Sequence, residues 1–337
     1  MEKISTIGLD LAKSVFQVHG AAACGETVLR KRLRRAQVLG FFAELAPCVV
    51  AMEACAGAHY WGRELARFGH EVKLIPAQYV KPYVKRQKND AADAEAICEA
   101  AQRPTMRFVA VKSAAQQGAA VAFRARDLLV RQRTQLINAL RGHLTEYGVV
   151  AAKGPAHMRA LRGMIEQAPP EARAALALLA DMLAEIETKI AALDAELKAR
   201  VAEDEAARRL VTMPGVGPVI AAALVALSPP PQNFNCGRDF AAWMGLTPRQ
   251  HSSGGREKLG RTTKMGERSL RRLLIVGAGS IVRWAVRKPP QAGSWLARML
   301  ARKPRQLVLV ALANKMARIA WALMAHGGVY RASNAPA

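Results

Sequence analysis

The chain has 337 residues, enough for two or three domains with buried cores, and its 50 Lys+Arg against 26 Asp+Glu leave a net charge of +24. The excess is uneven. It is +6 over residues 1–115 (17 basic, 11 acidic), 0 over 116–205 (12 and 12) and +18 over 206–337 (21 and 3), which puts a polyanion contact mainly in the C-terminal third. Cys24, Cys48, Cys55, Cys98 and Cys236 show no C-x-x-C spacing, which argues against a zinc site or disulfide framework. Lys315 and Arg318 cut the apolar run 307–324, so the expected partner is nucleic acid rather than a membrane and the expected compartment is the cytoplasm, at the nucleoid.

Ile4–Leu9, Ser14–His19 and Glu26–Arg34 are short β-branched or alternating runs between turn-like breaks, a pattern that predicts a three-stranded antiparallel meander. A helix at Val38–Leu45, a buried strand at Cys48–Met52, a helix at His59–Phe68 and a strand at Glu71–Ile75 follow. Three antiparallel strands, then strands alternating with helices, are the order of the ribonuclease H-like α/β fold, an order shared by other mixed sheets.

Acidic residues are sparse here, and their positions carry information. Asp10 ends the first strand and Glu53 the fourth. Asp90 and Asp93 stand three apart in NDAADAEAICEAA, which reads as a helix and puts both on one face. Such a set can supply the oxygen ligands of a hard cation, and two Mg²⁺ ions roughly 4 Å apart are a known device for activating phosphodiester chemistry. The plainer reading makes Asp90 a helix cap, Asp93 a first-turn acid and the other two strand-end turn residues. Lys81, Lys85, Arg86 and Lys88, just before the aspartates, fit either a strand-holding patch or a solvated linker.

From Gln116 the composition turns helical and neutral. Leu176, Leu179, Leu183, Ile186, Ile190, Leu193 and Leu197 recur in steps of three and four, the pattern of a coiled coil, formed either within the chain or between chains. In LVTMPGVGPVIAAALVAL, Pro-Gly-Val-Gly-Pro separates two apolar helices. This is the form of a helix-hairpin-helix, whose Gly215 and Gly217 would offer backbone N–H groups to a phosphate, or of an ordinary helical turn.

Gly245–Arg272 then sets Ser252 and Ser253 before Gly254 and Gly255, amid Arg249, Arg256, Lys258, Arg261, Lys264, Arg268, Arg271 and Arg272. A serine on an exposed turn in a basic field suits attack on a phosphodiester, and it equally suits a Ser/Gly loop whose cations touch phosphates. Helices are expected at Ser269–Trp284 and Gln306–Met324, with Trp284, Trp295 and Trp321 as packing residues.

Five motifs in order, IGLDLAKSVFQV, AMEACAGAHYW, KNDAADAEAI, MPGVGPVIAAALVA and FAAWMGLTPRQHSSGG followed by TKMGERSLRRLL, resemble the insertion-sequence transposases often called the IS-one-ten family, over nearly the whole chain. The resemblance implies a RuvC-like DEDD domain (1–115), a helical coiled-coil region (116–205) and a mainly α-helical transposase domain (206–337). It implies catalytic metal ligands at Asp10, Glu53, Asp90 and Asp93 for Mg²⁺ or Mn²⁺, and a nucleophile at Ser253 that forms a covalent serine–DNA intermediate. Donor and target DNA, a structured guide RNA encoded by the element, and a homodimer or homotetramer joined through the coiled coil are the implied partners. Two other readings stand beside it: a RuvC-like Mg²⁺-dependent endonuclease or junction resolvase in which water attacks, and an architectural nucleic-acid-binding protein.

Overall fold

Residues 3–85, 89–152, 154 and 160–332 are described by the computed structural model, which divides the chain into two units, Met1–Gln117 and Gly118–Ala337. In the first, strands β1 (Thr6–Asp10), β2 (Val15–Ala21) and β3 (Thr27–Arg34) are followed by helix α1 (Val38–Glu44), β4 (Val49–Glu53), α2 (Ala58–Arg67), β5 (Glu71–Ile75), α3 (Ala77–Val80) and α4 (Asp90–Ala101). The five strands form one sheet in the order β3-β2-β1-β4-β5. β2 is antiparallel to β1 and to β3, whereas β4 is parallel to β1 and β5 to β4. This is the ribonuclease H-like mixed sheet that the pattern predicts.

Alternation sorts the sheet into two faces. Ile7, Leu9, Val50, Met52 and Leu74 join Val38, Phe42, Ala58, Trp61 and Leu65 in one core, which covers the sheet with α1 and α2. The residues between them face α4: Ala51 and Ile75 pack with Ala96, Ile97 and Ala100. Gly8 belongs to this second face, and there the α4 backbone lies directly on the strand. A Cβ at Gly8 would stand 2.1 Å from the Ala94 carbonyl oxygen and 2.6 Å from the Cys98 nitrogen. Further back along β1, the Cys98 thiol donates to the Thr6 carbonyl at 3.7 Å. Thr6 therefore lies beside the C-terminal half of α4, and the helix starts near the strand's last residue, Asp10.

In the second unit, α5 (Ala114–Glu146, nearly all of it here), α6 (Ala160–Met164) and α7 (Pro170–Glu203) form an antiparallel helical hairpin. Leu140 and Leu144 of α5 share a core with Leu161 and with Leu176, Ala180 and Leu183 of α7, while Arg126 is ion-paired with Asp194 at the other end. Leu176, Leu183, Ile186, Ile190 and Leu197 are buried within this one chain, so the heptad seam packs intramolecularly here.

Helices α8 (Glu205–Val211) and α9 (Pro218–Leu227) flank the Pro-Gly-Val-Gly turn. They are followed by α10 (Gly237–Trp243), β6 (Pro248–Gln250), β7 (Leu259–Thr262), α11 (Arg268–Arg287), α12 (Trp295–Arg302) and α13 (Arg305–His326). Gly215 has φ +76°, and a Cβ there would stand 2.7 Å from the Gly277 carbonyl oxygen of α11. A Cβ at Gly277 would stand 2.3 Å from the Gly215 oxygen, so the hairpin turn and α11 interlock backbone to backbone. α13 is long and apolar enough to cross a membrane, but its Val308, Leu312, Ala313, Met316, Ala317 and Ala320 are buried in the core with α9, α10 and α11.

The seating of α4 on β1 gives a direct test. Gly8→Ala forces backbone apart and should lower stability by about 1–3 kcal/mol or more in urea unfolding of the full chain. Gly40→Ala, on an exposed turn of α1 with open space around its Cβ, should raise it by about 0.5–1 kcal/mol. Equal effects of the two substitutions would mean that α4 does not rest on Gly8.

Candidate active site

β1 and β4 are parallel and in register, with Leu9 opposite Met52, so Asp10 and Glu53 are neighbours at the carboxyl ends of adjacent strands. Two residues past Gly8 and Ala51, both side chains point to the α4 face. The antiparallel seating of α4 brings its first turn, with Asp90 and Asp93, to the same corner. Asn89 caps the helix, its side chain accepting from the Ala92 N–H at 2.8 Å, so Asp90 does not serve as the cap.

The electrostatics agree with this convergence. Burial, then Asp93, Asp90 and Glu53, together raise the Asp10 carboxyl from its ordinary 3.8 to about 6. Against this stands only the hydrogen bond from the Leu11 backbone. A half-buried carboxylate whose charged neighbours are three more carboxylates is a site that a cation would relieve. Among the described residues no three His, Cys, Asp or Glu side chains already converge on a single metal-sized point. The charge and oxygen donors suit a hard divalent ion, and the final closure of the ligands would come with binding.

The serine stretch is an exposed β-hairpin, β6 paired antiparallel with β7, where the sequence pattern predicts only a turn. Ser253 and Arg256 bracket the tip, with the Arg256 N–H on the Ser253 carbonyl at 3.1 Å and positive φ at Gly254 (+56°) and Gly255 (+75°). Positive φ at both central residues matches the hairpin turns whose twist suits paired strands, which explains why glycines stand there. The Ser252 hydroxyl accepts from the Lys258 N–H at 3.2 Å. Among the described residues no side chain hydrogen-bonds the Ser253 hydroxyl, and His251 offers it no base.

The basic residues separate into two groups. Arg249, Arg256, Lys258, Arg261 and Lys264 are exposed on or beside the hairpin. Arg271, expected as a nucleic-acid contact, is instead buried: its guanidinium donates to the carbonyls of Met244 (2.8 Å) and Met265 (3.2 Å) and ties the hairpin base to α10 and α11. Desolvation lowers its pKa, as expected for a cation inside the fold. Arg272 is ion-paired with Asp127 of α5, and Lys85 with Glu95 at 2.5 Å. Gly215 is turned into α11, whereas Gly217, at the start of α9, is open. Arg86 and Lys88 lie outside the described residues.

Two structural residues escaped the sequence pattern. Gly8 was visible only as a glycine in a strand, and Trp284, expected to pack, is 61% exposed. The signal for Trp284 was its spacing from Ser280 and Arg287, which places all three on the outward face of α11.

A mixed sheet of this order, with acidic strand ends facing an acidic helix start, is the architecture of a RuvC-like domain. Comparison with known proteins extends this to the whole chain. The family designated DEDD_Tnp_IS110 and described as "Transposase" matches residues 7–149, and the "Transposase IS116/IS110/IS902 family" matches residues 207–292. The chain is 49% identical to "Putative transposase y4pF/y4sB" of Sinorhizobium fredii, over 98% of this chain and 87% of that protein. It is 49% identical to "Probable family 20 transposase" of Pseudomonas aeruginosa (97% and 99%) and 40% identical to "Transposase for insertion sequence element IS1328" of Yersinia enterocolitica (98% and 99%). The chain belongs to the IS110 family of transposases; it is an enzyme of DNA cleavage and rejoining, with DNA as substrate and a divalent metal in its chemistry.

The expected covalent serine–DNA intermediate is overturned by this assignment. A DEDD transposase with a RuvC-like nuclease domain implies a two-metal reaction with water as the nucleophile. The hairpin geometry is in keeping with the correction, since among the described residues no side chain is hydrogen-bonded to the Ser253 hydroxyl to activate it.

The raised Asp10 pKa makes stability depend on pH. Between about 3.8 and 6 the folded chain holds a proton that the unfolded chain releases, so the contribution of Asp10 to stability falls as pH rises through that window. In EDTA, Asp10→Asn should therefore melt above the wild type at pH 7.5, and the gap should close toward pH 4. A gap that is constant across pH would dissociate Asp10 from the neighbouring carboxylates.

Proposed function

We propose that this transposase cuts DNA strands by attack of water on the phosphodiester, with Asp10, Glu53, Asp90 and Asp93 as the carboxylates that hold Mg²⁺ or Mn²⁺. The observation that carries the reading is the placement of Asp10 and Glu53 at neighbouring parallel strand ends beside the acidic first turn of α4, an arrangement that with burial raises the Asp10 pKa. Bound there, divalent ions would supply activation of the water and stabilisation of the departing oxygen. The residues themselves bind and orient: Asp10 and Glu53 from rigid strand ends, Asp90 and Asp93 from a capped helix start. Asp10 must be ionised to bind, so metal affinity falls below about pH 6.

The exposed cations of the β6–β7 hairpin serve as phosphate contacts, with Ser252 and Ser253 as neutral donors at its tip. Gly217, open at the start of α9, adds a backbone contact. Donor and target DNA are the substrates, and a structured RNA from the element is a further polyanion in keeping with the +18 of residues 206–337. Assembly into a homodimer or homotetramer would use the outward side of the helical hairpin, where Leu178 and Met182 are exposed. The working compartment is the cytoplasm, at the nucleoid.

The test is cleavage of a plasmid carrying the element, with RNA transcribed from that element, in ¹⁸O-water and Mg²⁺. Label should enter the phosphate at the new end, and denaturing gels should show free DNA ends. Asp10→Asn and Asp93→Asn should each lower cleavage on the order of a hundredfold or more. A detergent-stable protein–DNA adduct, or full activity in either variant at matched folding, would overturn the reading.

A further inference from the structure

Trp284 differs from the other tryptophans of the C-terminal unit. Trp321 donates its indole N–H to the Pro231 carbonyl at 3.0 Å, and Trp295 carries the Lys315 ammonium 4.9 Å above its ring. Trp284 is 61% exposed, and among the described residues no ring, cation or hydrogen bond engages its indole. Val286, also exposed, lines one groove with it, so the indole belongs to an apolar patch rimmed by cations, the form of a contact surface.

Its surroundings identify what that surface suits. Ser280, Arg283, Trp284 and Arg287 lie at helical spacing on one face of α11, and Arg305 at the start of α13 completes a groove of about 570 Å³. Arg283, Arg287 and Arg305 form no ion pair among the described residues. From Arg268 to the end, the sequence has 13 basic residues and no acidic one. A second copy of this +24 chain would bring like charge to the face, whereas a polyanion relieves it.

We propose that the Trp284 groove binds an unpaired nucleotide of a phosphodiester strand, the base stacked on the indole and the flanking phosphates held by Arg283, Arg287 and Arg305. A base within a duplex is already covered on both faces and has no π-face to offer the indole, so the groove selects single-stranded segments. The site deepens the transposase reading, on which it rests only for nucleic acid as the partner. It owes nothing to the carboxylates. Opened DNA and a looped RNA share the recognised chemistry.

The test measures binding of the full chain, in EDTA, to labelled oligonucleotides of one sequence as single-stranded DNA, single-stranded RNA and duplex DNA. Trp284→Ala should weaken single-strand binding about five- to hundredfold, Trp284→Phe should restore most of it, and duplex affinity should change less than about twofold. Arg287→Ala should weaken single-strand binding and make its salt dependence shallower. A loss confined to RNA assigns the groove to an RNA strand, and a loss confined to DNA assigns it to an opened DNA strand; either supports the site. Equal losses on single strand and duplex, or no loss with Trp284→Ala, would overturn it. So would loss of self-association in Trp284→Ala with unchanged oligonucleotide binding, which would give the face to a second copy. Because no metal is present, loss of cleavage in the carboxylate variants leaves this result untouched, and the two readings can fail separately.

Discussion

The candidate chemistry depends on one close approach, the seating of the α4 backbone on β1 at Gly8. No other residue type has room there, with the Ala94 oxygen where a Cβ would be. That contact sets the direction of the helix and brings its first turn to the carboxyl end of β1. Asp90 and Asp93 then face the ends of two strands whose parallel register already pairs Asp10 with Glu53. The result is an electrostatically unfavourable corner, built from hydrophobic packing elsewhere: the α1/α2 face and the Ala51–Ile75–Ile97 cluster hold the acids where mutual repulsion would separate them. Repulsion of this sort is sustained by the surrounding fold, and a cation would relieve it.

The C-terminal unit answers a different requirement, the presentation of positive charge without loss of a core. Its interior is apolar and closely joined, with Gly215 and Gly277 in backbone contact and Arg271 buried as a cross-link among carbonyls. The remaining cations can then stand on an outer hairpin and an outer helical face without disturbing the packing. Arg271 illustrates the distinction. A guanidinium with five donors satisfies backbone oxygens at the base of a hairpin as well as it satisfies phosphate, and burial alone tells the two uses apart.

Much of the first unit was legible in the sequence because its signals are local. Period-two alternation located the strands, Pro76 ended the fifth, and the three-residue spacing of Asp90 and Asp93 put them on one helical face. The heptad in α7 was equally plain, but its partner was not, since an apolar stripe buries itself equally well against α5 or against another chain. The basic run at 245–272 admitted two readings from its residues, a nucleophile's turn or a loop of phosphate contacts, and only the resemblance made Ser253 the nucleophile. The family assignment overturns that covalent role, because a serine becomes a nucleophile only through a base or metal that sequence adjacency does not provide.

The sequence by itself determined the order of elements, the acidic residues available for a metal, the separation of a near-neutral middle from a strongly basic end, and the family. These follow from periodicity, composition and motif, which are properties of neighbouring residues. Only the tertiary structure decided that Asp10, Glu53, Asp90 and Asp93 share one face, that Arg271 is inside, that the heptad seam closes within the chain, and that Trp284 faces outward. Each of these is a matter of which distant segment covers which side chain, and burial and field are set by atoms far apart along the chain.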